Sequence, residues 1–270
     1  MTTTNSVIGN TLLHSVEGGI SRITLNRPEV ANAIQPEQRN AIISLLAEAD
    51  ADPAIRVVVL ASTGKFFCSG ADVGGLVGGN AKPQAGEVTQ RLLNGAQRLI
   101  SAVLDCSKPV VCAVQGTAAG LGAHLAYACD LVVASDNASF IEAFVLRGMA
   151  IDSAGAYLLA RRIGLQKAKE LVFLGDRLSA ADAAQLGLVN RVAPADQLEE
   201  TLNGLVGRLA EAPTLAISLS KRLLNRALET DRAGALLEEA LAQEISSTSL
   251  DSKEGVSAFV ERRAPQFKGY

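Results

Sequence analysis

Four short runs of β-branched and small residues, set apart by helical patterns, constrain this chain more than any other feature. They are Ile20–Leu25 (ISRITL), Val57–Ala61 (VVVLA), Val110–Val114 (VVCAV) and Leu131–Ala134 (LVVA). Such runs read as strands, and buried ones where they are wholly apolar. Gln35–Asp50 and Glu87–Leu104 repeat apolar residues at helical spacing, and Ala119–Cys129 is rich in small residues, as a tightly packed buried helix would be. Strands alternating with helices define an α/β class with crossover connections.

After about Ala154 the pattern becomes almost wholly helical. Tyr157–Gly164 and Gln166–Leu174 read as helices, and Ser179 with Asp182 approximates a capping box ahead of a stop at Gly187. Gly187–Ala193 is extended, and from Asp196 onward helices are predicted with breaks near Pro213, Asp231 and Asp251. Two parts are expected: residues 1–195, an α/β core carrying the site, and residues 196–270, a helical region. A chain of 270 residues can bury such a core. The glycine-rich stretch Gly74–Gly86 is a candidate flap.

A net charge of -3 without a basic stripe argues against nucleic acid as a partner. No apolar run is long enough for a membrane span. The start, MTTTNSVIGNTLLHS, lacks a basic segment followed by an apolar core, so no export signal is expected. Cys68, Cys106, Cys112 and Cys129 are irregularly spaced, and with only His14 and His124 to help them no metal site is expected. Four free thiols suit a cytoplasmic location.

Two glycine-bearing turns stand out. KFFCSGADV (Lys65–Val73) follows the second strand, and VQGTAAGLGAHLAYACD (Val114–Asp130) runs from strand through turn to helix. Small side chains there expose backbone N–H groups, and a helix start adds unpaired donors. The glycines fit neither a dinucleotide fingerprint nor a phosphate loop. The turns either pack tightly or together bind an oxygen that becomes negative during reaction.

These motifs, with LNRPEVANAI (Leu25–Ile34), KPVVCAVQGTAAGLGAHLAYACDLVVAS (Lys108–Ser135), FLGDRLSAADAAQLGLVNRV (Phe173–Val192) and EGVSAFVERRAPQF (Glu254–Phe267), resemble the crotonase superfamily, the enoyl-CoA hydratase/isomerase family. The resemblance implies a spiral of ββα units with a C-terminal helical region that forms trimers, often stacked as hexamers. It implies an acyl-CoA thioester as ligand, with coenzyme A part of the substrate and no other cofactor. The thioester oxygen would meet the N–H groups of Ala71 and Leu121, the latter where the family usually has glycine. CoA contacts would come from Val30, Ala31, Ser69, Gly70, Asp72, Gly120 and Phe144. Phe259 and Arg262 would reach the adenine and 3′-phosphate, from a neighbouring subunit if the assembly requires it.

The chain departs from the hydratases at both of their glutamates. His124 and Phe144 stand at those positions. Asp152 in SFIEAFVLRGMAIDSAG is the nearby carboxylate, and the nearest pattern is that of the phenylacetate-pathway epoxide/oxepin-CoA isomerases. A dehalogenase of this superfamily also uses such an aspartate, but Gln97 stands where its histidine base would be. One carboxylate suffices to move a proton between two carbons, whereas syn-hydration is best divided between two. Asp152 is therefore the expected base of a double-bond isomerisation, or else the N-cap of the helix that follows. His124 is a second proton carrier, pocket lining, or a satisfied buried histidine. Glu142 reads as structural, and Cys68 as packing. The rival functions are an atypical hydratase using Asp152 and His124, and a non-catalytic acyl-CoA-binding subunit.

Overall fold

A computed structural model describes residues 4–72, 74 and 84–270. An antiparallel ribbon of β1 (Thr4–Ile8), β2 (Leu12–Glu17) and β3 (Ile20–Leu25) opens the chain. Helix α1 (Pro36–Ala51) leads to β4 (Val57–Ser62), and α2 (Glu87–Leu93) and α3 (Ala96–Asp105) lead to β5 (Val110–Val114). Then come β6 (Thr117–Ala119), α4 (Leu121–Ala128), β7 (Leu131–Ser135), β8 (Ser139–Ile141) and α5 (Gly155–Leu174). β9 (Arg177–Ser179), α6 (Ala180–Gln185) and β10 (Arg191–Ala193) follow, and α7 (Leu198–Ala210), α8 (Thr214–Arg226), α9 (Arg232–Ser247) and α10 (Leu250–Glu261) complete the fold.

The large sheet has seven strands in the order β1-β2-β3-β4-β5-β7-β10, parallel from β3 onward. A second sheet, β6-β8-β9, has three. Two parallel strands of the first sheet hand the chain to the second and then to a helix: β5 to β6 to α4, and β7 to β8 to α5. These are the strand–strand–helix units expected from the sequence.

Both faces of the large sheet are buried, as parallel strands require. Val58 and Leu60 face the main core with Leu99, Ile100 and Leu125. Val57, Val59 and Ala61 face the other way, with Val111, Ala113 and Val133, onto Leu202, Leu205 and Val206 of α7. Helix α7, the first of the region expected at residues 196–270, covers the back of the sheet, and α8 is tied to the core through buried Lys221, which donates to Val103 O and Lys108 O.

One expectation changes. The helix foreseen over Glu87–Leu104 is two helices, broken at Gly95 (φ -110°, ψ -111°). Helix α5 likewise bends at Gly164 (φ 75°), where the sequence placed a junction. The cap at Ser179 is present, with its hydroxyl accepting from Asp182 N–H at 3.1 Å. Of the flap foreseen at Gly74–Gly86, only Gly74 and residues 84–86 are described; the remainder, like Val73, lies outside the described residues. Among the described residues no helix is long and apolar enough to cross a membrane.

Candidate active site

Two backbone turns meet at the start of α4. Cys68 forms a parallel bridge with Ala118, and Ala119 N–H donates to Cys68 O at 2.9 Å. Ala71 bridges Ile34, whose N–H donates to Gly70 O while its O accepts from Asp72 N–H, both at 2.9 Å. In a parallel bridge the bonds use one partner's own amide and carbonyl, here those of Ile34, so the Ala71 N–H faces away from it.

Gly120 (φ 52°, ψ -122°) has a conformation that a side chain would not tolerate, and it hands the chain to α4. Leu121 is the first helical residue, so its N–H has no partner within the helix. Neither this N–H nor that of Ala71 has an acceptor among the described residues. The turns interlock. A Cβ on Gly122 would stand 2.3 Å from Cys68 O, and one on Gly70 would stand 3.7 Å from the Leu121 nitrogen. The two donors are thus neighbours. The Leu121 side chain is accommodated in the main core, 4% exposed.

The loop before the first turn, whose backbone the resemblance assigns to CoA contacts, is held by the side chain of Asn32. Its buried amide donates to Thr63 O and Phe66 O, each at 2.8 Å, and its Oδ1 accepts from Arg27 N–H at 2.8 Å. Ala31 O accepts from Ser69 N–H at 2.9 Å, tying this loop to the turn. Val30 is exposed beside it. Arg27 also pairs with Asp72 at 2.9 Å. That guanidinium hydrogen bond, then the Gly74 N–H, hold the Asp72 carboxyl below the usual carboxylate range.

Across from these turns runs the segment after β8. Gly120 N–H donates to Ile141 O at 3.0 Å, which brings Glu142 to the first turn of α4. One turn into that helix is His124, and its Nε2 lies 2.8 Å from Glu142 Oε2. The Phe144 ring stacks on the imidazole at 5.4 Å and 9°. Its edge lies 3.6 Å from where a Gly120 Cβ would stand. His124 is 0% exposed, and its Nδ1 and Glu142 Oε1 have no hydrogen-bond partner among the described residues. His124 is thus a buried histidine paired through one ring nitrogen only. Its partner Glu142 was legible only as structural, because their meeting depends on the pairing of β6 with β8.

Asp152 is partly exposed, on the loop between Gly148 and α5. A Cβ on Gly155 would meet the His124 ring at 2.2 Å and Ile151 Cδ1 at 2.7 Å, so this loop packs against His124. The carboxylate does not cap α5. The N-cap is Ala154, without a side-chain bond, and Asp152 contributes only its backbone carbonyl, to Gly155 N–H at 2.9 Å. Oδ1 accepts from Ser153 Oγ at 2.5 Å, and Oδ2 has no hydrogen-bond partner among the described residues.

Burial pushes the Cys68 thiol up to about 12, which leaves it protonated and inert. Phe259 (85% exposed) and Arg262 stand at the end of α10, and among the described residues no hydrogen bond or ion pair joins them to the two turns. Among the described residues there is also no cluster of side chains suited to a metal ion.

A family model for enoyl-CoA hydratase/isomerase matches residues 15–270. The 1,2-epoxyphenylacetyl-CoA isomerase of Escherichia coli (strain K12) is 36% identical over 261 residues, covering 96% of this chain and 98% of its own. A crystal structure of an enoyl-CoA hydratase/isomerase from Cupriavidus metallidurans CH34 superposes with a TM-score of 0.90 at 32% identity, covering 97% of each chain. One of an enoyl-CoA hydratase from Mycobacterium smegmatis superposes at 0.88 and 32%, covering 95% and 98%. The chain belongs to the enoyl-CoA hydratase/isomerase family and has the crotonase fold. It is an enzyme of that family, whose named relatives include both isomerases and hydratases.

Proposed function

We propose that this enzyme moves the double bond of an unsaturated acyl-CoA, with Asp152 as the base and the N–H groups of Ala71 and Leu121 as the oxyanion hole. The observation that carries this reading is the free Oδ2 of Asp152, on a carboxylate that neither caps a helix nor pairs with a cation. The other acid–base pair nearby, His124 with Glu142, is sealed behind Phe144. The isomerase name of the E. coli relative supports the same chemistry.

The steps follow from these groups. The two amides polarise the thioester carbonyl and make the adjoining C–H bonds more acidic. Oδ2 takes a proton from one carbon, the C–H electron pair enters the conjugated enolate, and negative charge collects on the thioester oxygen. Asp152 then returns the proton to the other carbon as the enolate collapses. Each oxyanion donor is worth on the order of 10²–10³ in rate. No redox or metal chemistry is required, so coenzyme A serves as part of the substrate and no further cofactor is assigned.

The CoA moiety is assigned to the backbone around Val30 and Ala31 and to Ser69, Gly70, Asp72 and Gly120, with Phe144 on the acyl side. Phe259 and Arg262 are assigned to its adenine end across a subunit contact. Exposed Leu224, Leu236, Leu241 and Ile245 on α8 and α9 support a homotrimer or hexamer. The four unpaired cysteines support a cytoplasmic location.

Incubation with a 3-enoyl-CoA and separately with crotonyl-CoA tests the reaction. A rise in conjugated enoyl absorbance with the first, and none lost with the second, is expected. Loss of absorbance from crotonyl-CoA would mark hydration instead. Absence of turnover across a panel of acyl-CoA esters, with binding retained, would mark a binding subunit.

A further inference from the structure

We propose that Ser153 is a positioning residue for Asp152, engaging Oδ1 so that Oδ2 alone is presented to the acyl chain; this rests on the base role proposed above. Ser153 is 2% exposed, so its hydroxyl must find a partner within the protein. The partner is Oδ1 of the adjacent carboxylate, at 2.5 Å. A carboxylate only accepts, so the serine donates, and a bond to a charged acceptor is among the stronger hydrogen bonds.

The backbone points the same way. Ser153 (φ 47°) and Ala154 (φ 60°) are consecutive residues in the left-handed region, where a side chain is disfavoured. The turn alone would be easier with glycine at 153, which accepts this conformation without strain. Glycine would have no hydroxyl. The strained serine supplies a function that the unstrained residue cannot, and backbone strain of this kind gathers at functional sites. The next residue, Gly155, is pressed against the sealed His124 ring, and its amide bonds back to Asp152 O at 2.9 Å. Both ends of this short loop are therefore fixed. The hydroxyl then removes the main freedom left to the carboxylate, rotation about its own side-chain bonds.

Two oxygens with unequal duties suit a base that must take a proton at one carbon and return it at another. Oδ2 carries the proton throughout. Oδ1 stays on the serine, so the carboxyl group does not turn over between the two transfers. No other reactant enters.

Ser153→Gly and Ser153→Ala, made in the full-length enzyme, separate a positioning role from a structural one. Glycine relieves the left-handed strain and alanine retains it, so their Tm values should differ, glycine being the higher. Both lack the hydroxyl. Both should lower kcat on the order of tenfold, the factor expected for one charge-assisted hydrogen bond, with KM and CoA-ligand affinity near wild type. Wild-type kcat in Ser153→Ala, or a kcat in the two variants that simply follows Tm, would overturn the proposal. Asp152→Asn, measured beside them, keeps the two failures apart. If it retains turnover, the base role itself falls. If it is inactive while Ser153→Ala is fully active, only the positioning role falls.

Discussion

The two sides of the site are built from different material. The turn pair at residues 68–71 and 120–122 presents backbone N–H groups, and its side chains mainly permit close approach. The segment from Glu142 to Gly155 works through side chains. The first side can therefore accept leucine at 121: the proposed role uses only the amide, and the side chain is absorbed by the core. The second side cannot be so indifferent. By the resemblance, Phe144 and His124 stand where a hydratase would keep its two glutamates, and the partly exposed carboxylate nearby is Asp152. On the proposed reading, a scaffold that binds an oxyanion with its backbone leaves the chemistry to be set by a few residues across from it.

The largest effect should come from disturbing the backbone side. Gly122→Ala places a Cβ 2.3 Å from Cys68 O, a backbone atom that cannot move without opening the turns. Turnover should fall by on the order of 10²–10³, as for a lost oxyanion donor. Near-normal rates in this variant would mean that the turns do not need to touch.

The side-chain side should respond next, through stability. His124→Ala leaves Glu142 buried without its hydrogen-bond partner, and an unsatisfied buried polar group costs about 1–3 kcal/mol. Urea unfolding measures it. Replacing both residues by leucine should recover most of the loss, because it removes both partners of the buried hydrogen bond. A small loss in the single variant would show that water enters beside Phe144.

A smaller effect belongs to the loop that holds the first turn. Arg27→Ala should cost about 1 kcal/mol or less at neutral pH. Arg27 lowers the folded-state pKa of Asp72. Its contribution is therefore full above the ordinary aspartate value of about 3.9 and is lost as pH falls through the lower folded value. Wild type should lose that contribution on acidification into this range, and the variant should lose less. Smallest of all is the expected effect of a thiol-alkylating reagent on the folded enzyme. Cys68 lies within the turn, but its thiol stays protonated and buried, so turnover should not change.

The same contrast explains what was legible in the sequence. Val57–Ala61 and Val110–Val114 announce themselves by composition, and α4 by its small residues. The glycines of the two turns could be read because close approach leaves few other choices. β6, β8 and β9 have three residues each, too few to show a period, and their pairing is what carries Glu142 to His124. The role of α7 under the sheet likewise depends on distant packing, whereas the break at Gly95 was marked locally by the Asn94-Gly95 pair. Asn32 and Ser153 gave no signal beyond their residue types, because what matters is which backbone or carboxylate atoms surround them. Asp152 was conspicuous as a carboxylate in an apolar stretch. That it is not a cap follows from the φ angle of Ala154.

The role of Asp152 is tested most directly by comparing Asp152→Asn with wild type for two quantities at once, conversion of a 3-enoyl-CoA to its conjugated isomer and the Kd for a CoA ligand. Asparagine keeps the shape and cannot take the proton. Conversion should be abolished with Kd nearly unchanged. Turnover close to wild type would contradict the assignment and return the search to the other groups around the two turns.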